Sequence, residues 1–209
     1  IQMNMREPVR FLVDNWEIGK NLMLAARDVE VSGFLNLGSS CMYPKNYEEP
    51  LKEQDVLAGP LEPTNEGYAL AKISVARLGE YLNRETPGFF CRTLIPCNIY
   101  GPHDKFDPLK SHLIPAVIHK LHQAKFAHCN TVDIWGDGTA RREFLYVGDL
   151  VDMLMSAIFR IETLPMYMNV GLGFDYTIDE YYRHAATVVG YHGQFVHDTE
   201  KPVRSEEHT

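Results

Sequence analysis

Apolar positions recur along this chain with two different periods, and the changeovers between them mark its elements. From residue 8 to 28, Val9, Leu12, Val13, Trp16, Ile18, Leu22, Met23 and Ala26 form a stripe of period 3.6. It is broad enough to predict a helix packed on more than one side. The helix should end before Ser32-Gly33, where Phe34, Leu35 and Leu37 form a short apolar run that reads as a buried strand. A polar, proline-containing stretch from Cys41 to Asn65 follows, long for a connection inside a compact domain. Pro63-Thr64-Asn65-Glu66 then announces a second long helix over 66–85, with Thr64 or Asn65 as its cap and Glu66 near the positive end of its dipole.

Phe89 to Ile95 predicts the next strand, closed by Pro96-Cys97-Asn98 and the turn Tyr100-Gly101-Pro102-His103. Strand, crossover-length helix, strand is a βαβ unit, so the sheet should be parallel and the class α/β. Helices are predicted over 113–121, 148–161 and 178–189, and strands over 132–135, 166–170 and 194–197. Thr177 with Glu180 three residues later is a capping-box signature for the last helix.

Composition narrows the function classes. With 209 residues, 45% of them hydrophobic, the chain has material for one substantial core. A formal charge of -8 gives no support to nucleic acid as a partner. The four cysteines lack CxxC spacing and imply neither a zinc site nor a disulfide framework, so they read as reduced thiols of a cytoplasmic protein. No apolar run reaches membrane-spanning length. No GxGxxG turn precedes the first long helix. Arg204 to Thr209 matches the in-frame translation of a common sequencing adapter and is expected to be a non-native tail.

Candidate chemistry begins where the first strand ends, at Gly38-Ser39-Ser40-Cys41, because open parallel sheets place their sites at the carboxyl edge. Tyr68 and Lys72 form a YxxxK pair that a helix puts on one face. A nearby ammonium favours phenolate, which suits an acid for carbonyl reduction. By itself the pair also reads as a solvated helix face, since the chain holds 11 tyrosines.

Five longer motifs give these residues context: GSSCxYP from Gly38, Glu62 to Lys72, Asn98 to Asp104, Ser111 to Ala116, and Trp135 to Leu145. In this order they resemble the GDP-L-fucose synthase family of extended short-chain dehydrogenase/reductases, over residues 1–203. The resemblance implies a partial Rossmann-like parallel sheet, lacking its N-terminal strands and glycine-rich turn, with a smaller C-terminal substrate lobe. It implies NADPH as cofactor, a GDP-sugar substrate, and a homodimer formed through the two long helices. The implied reaction is 3,5-epimerisation and 4-reduction of GDP-4-keto-6-deoxy-mannose. By the same resemblance Ser39, Tyr68 and Lys72 carry the reduction, Cys41 is the epimerising base and His112 the acid. Asn98 and His112 join Ser39, Tyr68 and Lys72 around the cofactor, while Lys120, Trp135 and Arg142 contact the nucleotide sugar. Lys120 stands where the family has an arginine, and Gly148 where it more often has an acidic residue. Without the glycine-rich turn, residues 1–203 alone are expected to be inactive and to hold dinucleotide weakly. A related GDP-sugar reductase, such as one acting on a 4-keto-6-deoxy-heptose, and a non-catalytic nucleotide-sugar-binding protein are the competing readings. His119, His122, His128, His184, His192 and His197, with Cys91, Cys97 and Cys129, read as structural.

Overall fold

The computed structural model of the protein describes residues 2–45, 50–106 and 111–200. They form two compact units, one from the described parts of Ile1–Cys97 and Gly148–Gly171, the other from those of Asn98–Val147 and Leu172–Glu207. The tail expected at 204–209 lies outside the described residues.

In the first unit a short helix α1 (Gln2–Arg6) leads into α2 (Pro8–Asp28), whose Pro8 occupies the first turn, where a missing N–H costs nothing. Strand β1 (Gly33–Leu37) is followed by α3 (Glu66–Glu85) and β2 (Phe90–Pro96). Both strands are parallel, with Leu37 opposite Leu94, and β2 pairs in turn with β7 (Tyr167–Val170), giving the order β1-β2-β7. The expected parallel α/β arrangement is thus present, with α5 (Val147–Ile158) leading into β7. Two long helices approach closely at glycines. A Cβ on Gly19 of α2 would lie 2.4 Å from a Val75 methyl carbon, and one on Gly79 of α3 would lie 2.5 Å from Cys91 Sγ on β2. Met23, Val75, Leu82, Phe89 and Cys91 make the core between these elements.

In its described parts, 41–45 and 50–65, the long connection from Cys41 to Asn65 is more structured than a loop. It contains single 3-10 turns at Ser40–Met42 and Glu53–Asp55. It is pinned to β7 through Asn169, which takes the Tyr43 hydroxyl on Oδ1, donates its backbone N–H to Glu53 (2.8 Å) and its amide to the Leu51 carbonyl (3.0 Å). Met42, Tyr43, Val56 and Leu61 then pack on Ala69, Ile73 and Ile95, so this connection builds its own core against α3 and β2. Hydrogen-bonding partners far away in the chain replace the regular ladder that such a connection lacks.

The second unit is assembled from shorter pieces. Strand β3 (Asn98–Tyr100) pairs in parallel with β6 (Phe144–Tyr146), and β4 (Thr131–Trp135) in parallel with β9 (Gln194–Asp198). The two-residue strands β5 (Arg141–Arg142) and β8 (Tyr176–Thr177) pair antiparallel. Helices α4 (Leu113–Phe126) and α6 (Ile178–Val189) contribute Val117, Leu121, Ala124, Tyr182 and Ala186 to a core completed by Val132, Ile134 and Tyr191. Thr177 and Glu180 close the expected capping box, and Gly190 ends α6 in the left-handed region at φ 71°.

Several sequence expectations are corrected. Helix α4 runs on to Phe126, five residues past the expected end, and α5 stops at Ile158 rather than 161. Strands β3, β5, β6 and β8 were not expected at all, since two or three residues carry no readable period. Asn65 stands at the N-cap position of α3, but its side chain makes no capping bond.

Candidate active site

Four of the expected site residues lie in the first unit, where β1 ends and α3 begins. The Gly38 N–H continues the ladder to the Leu94 carbonyl at 2.7 Å, so the chain leaves the sheet only at Ser39. Ser39 is extended, and its Oγ accepts the Cys41 backbone N–H at 3.3 Å, which caps the 3-10 turn and fixes where Cys41 points. An acceptor bond at Oγ polarises the hydroxyl and leaves its proton to be donated onward. Beneath the turn Met42 is fully buried, which anchors it.

Tyr68 and Lys72 are both half-buried on α3, one turn apart, with Lys72 Nζ 5.7 Å from the centre of the Tyr68 ring. Lys72 Nζ also donates to the Leu37 carbonyl at 2.9 Å, the last residue of β1. That bond ties the YxxxK face of α3 to the strand end that carries Ser39. Burial lowers the Lys72 pKa from its ordinary value, the expected direction for an ammonium removed from water. The Cys41 sulfur accepts a bond from Asn65 Nδ2 at 3.1 Å. Cys91, by contrast, is buried inside the unit and its thiol is pushed up to about 12 by that burial. An inert thiol is the result, as expected of it.

The other five expected residues lie in the second unit, three of them at two cavities and two outside both. His112 is exposed at the N-cap position of α4, its side chain making no capping bond. It lines an open cavity of about 260 Å³ with Tyr100, His103, Asp104 and Val147. His103 holds a φ of 68°, a region uncommon for a residue with a Cβ, within the expected turn after Tyr100. Asn98, on β3, donates its amide to the Glu143 carbonyl at 3.2 Å.

Lys120 and Trp135 lie together at a second cavity of about 320 Å³, also lined by Leu113, Val117, Ile178 and Tyr182. Asp133 organises both: its carboxylate pairs with Lys120 Nζ at 2.8 Å and accepts the Trp135 indole N–H at 2.9 Å. Burial works to raise the Asp133 carboxyl, but the Lys120 ammonium and the indole N–H outweigh it and hold the group below its usual value. An apolar slot with a tryptophan wall and one cation at its rim suits a nucleobase with a phosphate chain. Arg142 stands apart from this cavity's lining; its Nη1 donates to the Arg141 carbonyl at 2.6 Å and its own carbonyl accepts the Tyr181 hydroxyl at 2.8 Å.

Three residues were missed as site candidates. Asp133 precedes Trp135 by two on β4, so strand alternation puts both on one face, a signal that was readable. His119 and Gln123 line the larger cavity one turn apart on α4.

Comparison with known proteins places this arrangement. A profile of the NAD dependent epimerase/dehydratase family matches residues 1–171. The chain is 53% identical over 203 residues to a GDP-L-colitose synthase from Yersinia pseudotuberculosis, covering 97% of this chain and 66% of that protein. It is 47% identical over 203 residues to a GDP-L-fucose synthase from Azorhizobium caulinodans, covering 97% and 65%. Among solved structures, a GDP-mannoheptose C4 reductase from Campylobacter jejuni with NADP bound superposes with a TM-score of 0.84 at 28% identity, covering 94% of this chain and 68% of that one. The chain therefore spans just under two thirds of the length of these curated relatives. The α/β fold, the Ser39, Tyr68 and Lys72 grouping and the family match agree: the chain belongs to the NAD dependent epimerase/dehydratase family.

Proposed function

We propose that this chain carries the catalytic residues of an NADPH-dependent GDP-sugar epimerase-reductase, which turns GDP-4-keto-6-deoxy-mannose into GDP-L-fucose. The observation that carries this is the gathering of Ser39, Cys41, Tyr68 and Lys72 at one strand end, tied together by the Lys72 bond to Leu37. A reductase needs the first, third and fourth of these, and a plain binding protein needs none. The first unit is read as the dinucleotide core and the second as the substrate lobe.

A phenol and an ammonium on one helix face beside a sheet edge form a donor pair fitted to a ribose diol, so Tyr68 and Lys72 would hold the nicotinamide ribose of NADPH. When bound, NADPH supplies a hydride for the sugar C4. In this reading Ser39 orients the C4 carbonyl oxygen through its free proton, and Tyr68 delivers a proton to that oxygen as it gains charge. Lys72, held near the phenol, keeps that transfer favourable near neutral pH. The 4-keto group acidifies the hydrogens at C3 and C5; at each carbon in turn one proton is removed, the role given to Cys41, and one is returned to the opposite face of that carbon, the role given to His112. The larger cavity of the second unit takes the guanine base against Trp135, with Lys120 near phosphate, while Arg142, outside that cavity's lining, offers its planar fork to the diphosphate.

A second reading has a specific observation behind it: identity is higher to the GDP-L-colitose synthase than to the fucose synthase. The product would then be GDP-L-colitose. One experiment separates the two. The keto-sugar and NADPH are incubated in deuterated water with the protein completed by an N-terminal glycine-rich dinucleotide turn, and the product is read by NMR. Fucose carrying deuterium at C3 and C5 supports the first reading. Turnover restricted to the keto-sugar precursor of GDP-L-colitose supports the second. Unlabelled reduced product removes epimerisation, and unoxidised NADPH removes the enzyme reading altogether.

The assembly proposed is a homodimer through α2 and α3. Val9, Ile18 and Leu22 on α2 are 73%, 61% and 59% exposed, an apolar face that a second copy would cover. Sedimentation of the protein, with Leu22→Glu shifting it to monomer, tests this. None of the described helices is long and apolar enough to cross a membrane. The cytoplasm is the compartment this reading assigns, in keeping with four cysteines outside any disulfide.

A further inference from the structure

Asn65 occupies the N-cap position of α3, a place where an asparagine side chain ordinarily accepts a backbone N–H of the first turn. It does not do so here. Its amide is turned inward, with Nδ2 donating to Cys41 Sγ at 3.1 Å. The residue is only 5% exposed, and its Oδ1 has no hydrogen-bond partner among the described residues. Giving up a cap and burying an unpaired carbonyl both cost stability, so packing alone does not account for this orientation.

The neighbouring chain holds the amide where it is. Glu62 accepts from the Thr64 N–H and hydroxyl at 3.1 and 3.0 Å, the Asn65 N–H donates to the Glu62 carbonyl at 3.2 Å, and the Asn65 carbonyl receives the Ala69 N–H at 3.0 Å. The backbone of Cys41 is fixed independently by Ser39. The sulfur is therefore positioned from two sides, by Ser39 through the main chain and by Asn65 through the side chain.

We propose that Asn65 is a positioning residue that holds the Cys41 sulfur as thiolate and aims it. A sulfur anion accepts an N–H bond more strongly than a thiol does, so a donor fixed at Sγ favours the reactive form. This rests on Cys41 being the proton-abstracting group of the proposed reaction. The ionisable side chains on the described segments packed around this turn include Tyr43, Lys45, Glu53, Asp55, Glu62, Glu66, Tyr68, Lys72 and Tyr167. Of these, Tyr43 donates to Asn169, Glu62 holds Thr64 and Lys72 donates to Leu37. Asn65 adds a neutral donor directly at the sulfur. Because Asn65 and Tyr68 are one turn apart on the same helix start, a single element then sets both the epimerising thiol and the reducing phenol.

The test is the pH profile of Cys41 alkylation by iodoacetamide, followed peptide by peptide by mass spectrometry, with exposed Cys129 of the same molecule as reference. It requires neither substrate nor cofactor, so it reads the Asn65 contact separately from the deuterium experiment that tests Cys41 in catalysis. In Asn65→Ala the Cys41 profile should move alkaline by about one pH unit, roughly ten-fold slower alkylation on its rising limb. Asn65→Asp, of the same size but with a carboxylate in place of the donor, should move it further. Cys129 should be unchanged in both. Cys41 profiles that overlay the wild type in either variant, once its unfolding curve shows it folded, overturn the proposal.

Discussion

Replacing Asp133 by Asn should tighten, not weaken, binding of GDP. Lys120 is the cation best placed at the larger cavity, but its ammonium lies 2.8 Å from the Asp133 carboxylate, and a phosphate must compete for it. At that separation two unit charges interact by about 6 kcal/mol with an effective dielectric of 20, which is an upper bound. The two side chains are 30% and 43% exposed, so water and ions screen the pair, and about 1 kcal/mol is the realistic net strength. Removing the carboxylate partner, while the Lys120 bond to the Asp133 carbonyl at 2.5 Å stays, converts to roughly a five-fold lower Kd. An asparagine oxygen can still accept the Trp135 N–H, so the indole wall of the cavity should survive the change. Calorimetric titration with GDP at low and physiological salt measures the effect. The same substitution in a Lys120→Met background should do nothing, because the cation it frees is gone. Equal or weaker GDP binding by Asp133→Asn alone would refute this reasoning and make Asp133 itself a contact for the base or ribose.

Other expectations follow from single contacts. Tyr68→Phe should slow ketone reduction by 10²-fold or more while solvent deuterium still enters the sugar, and Cys41→Ser should do the reverse; equal loss of both activities in either variant contradicts the division of labour. Gly79→Val should cost about 1–3 kcal/mol in chemical denaturation, since its first side-chain carbon would already lie 2.5 Å from buried Cys91 Sγ; an unshifted midpoint would mean α3 and β2 can separate freely. Burial, aided by the nearby Glu53 and Asp55 charges and opposed by the bond to Asn169, raises the Tyr43 hydroxyl above its ordinary value of 10.0. A raised folded pKa means its contribution is intact below pH 10 and is lost at about 1.4 kcal/mol per pH unit above it. Urea midpoints between pH 9 and 12 should therefore fall less steeply in Tyr43→Phe, though from a lower start because Asn169 loses a donor.

Much of the scaffold was legible because it is local. The stripes of α2 and α3, the capping box of Thr177 and Glu180 and the βαβ order each lie within one turn or one crossover, where side-chain period and capping chemistry dictate structure. The reducing set was legible for the same reason: Tyr68 and Lys72 are one turn apart, and Ser39 ends a strand. The short strands β3, β5, β6 and β8 were not, because their partners lie up to 46 residues away, as Asn98 pairs with Phe144, and pairing alone defines them.

The sequence by itself determined which groups the chain owns and the helices and strands that carry most of them. What only tertiary structure decided is how those groups are spent. Asn65 reads as a cap, yet the folded chain turns its amide to Cys41, because the turn after β1 comes to rest beside the start of α3. Lys120 reads as a phosphate cation, yet it meets Asp133 across 13 residues, because α4 packs over β4. A side chain chooses its hydrogen bond by what lies within about 3 Å, and that neighbour is set by packing between elements rather than by order along the chain.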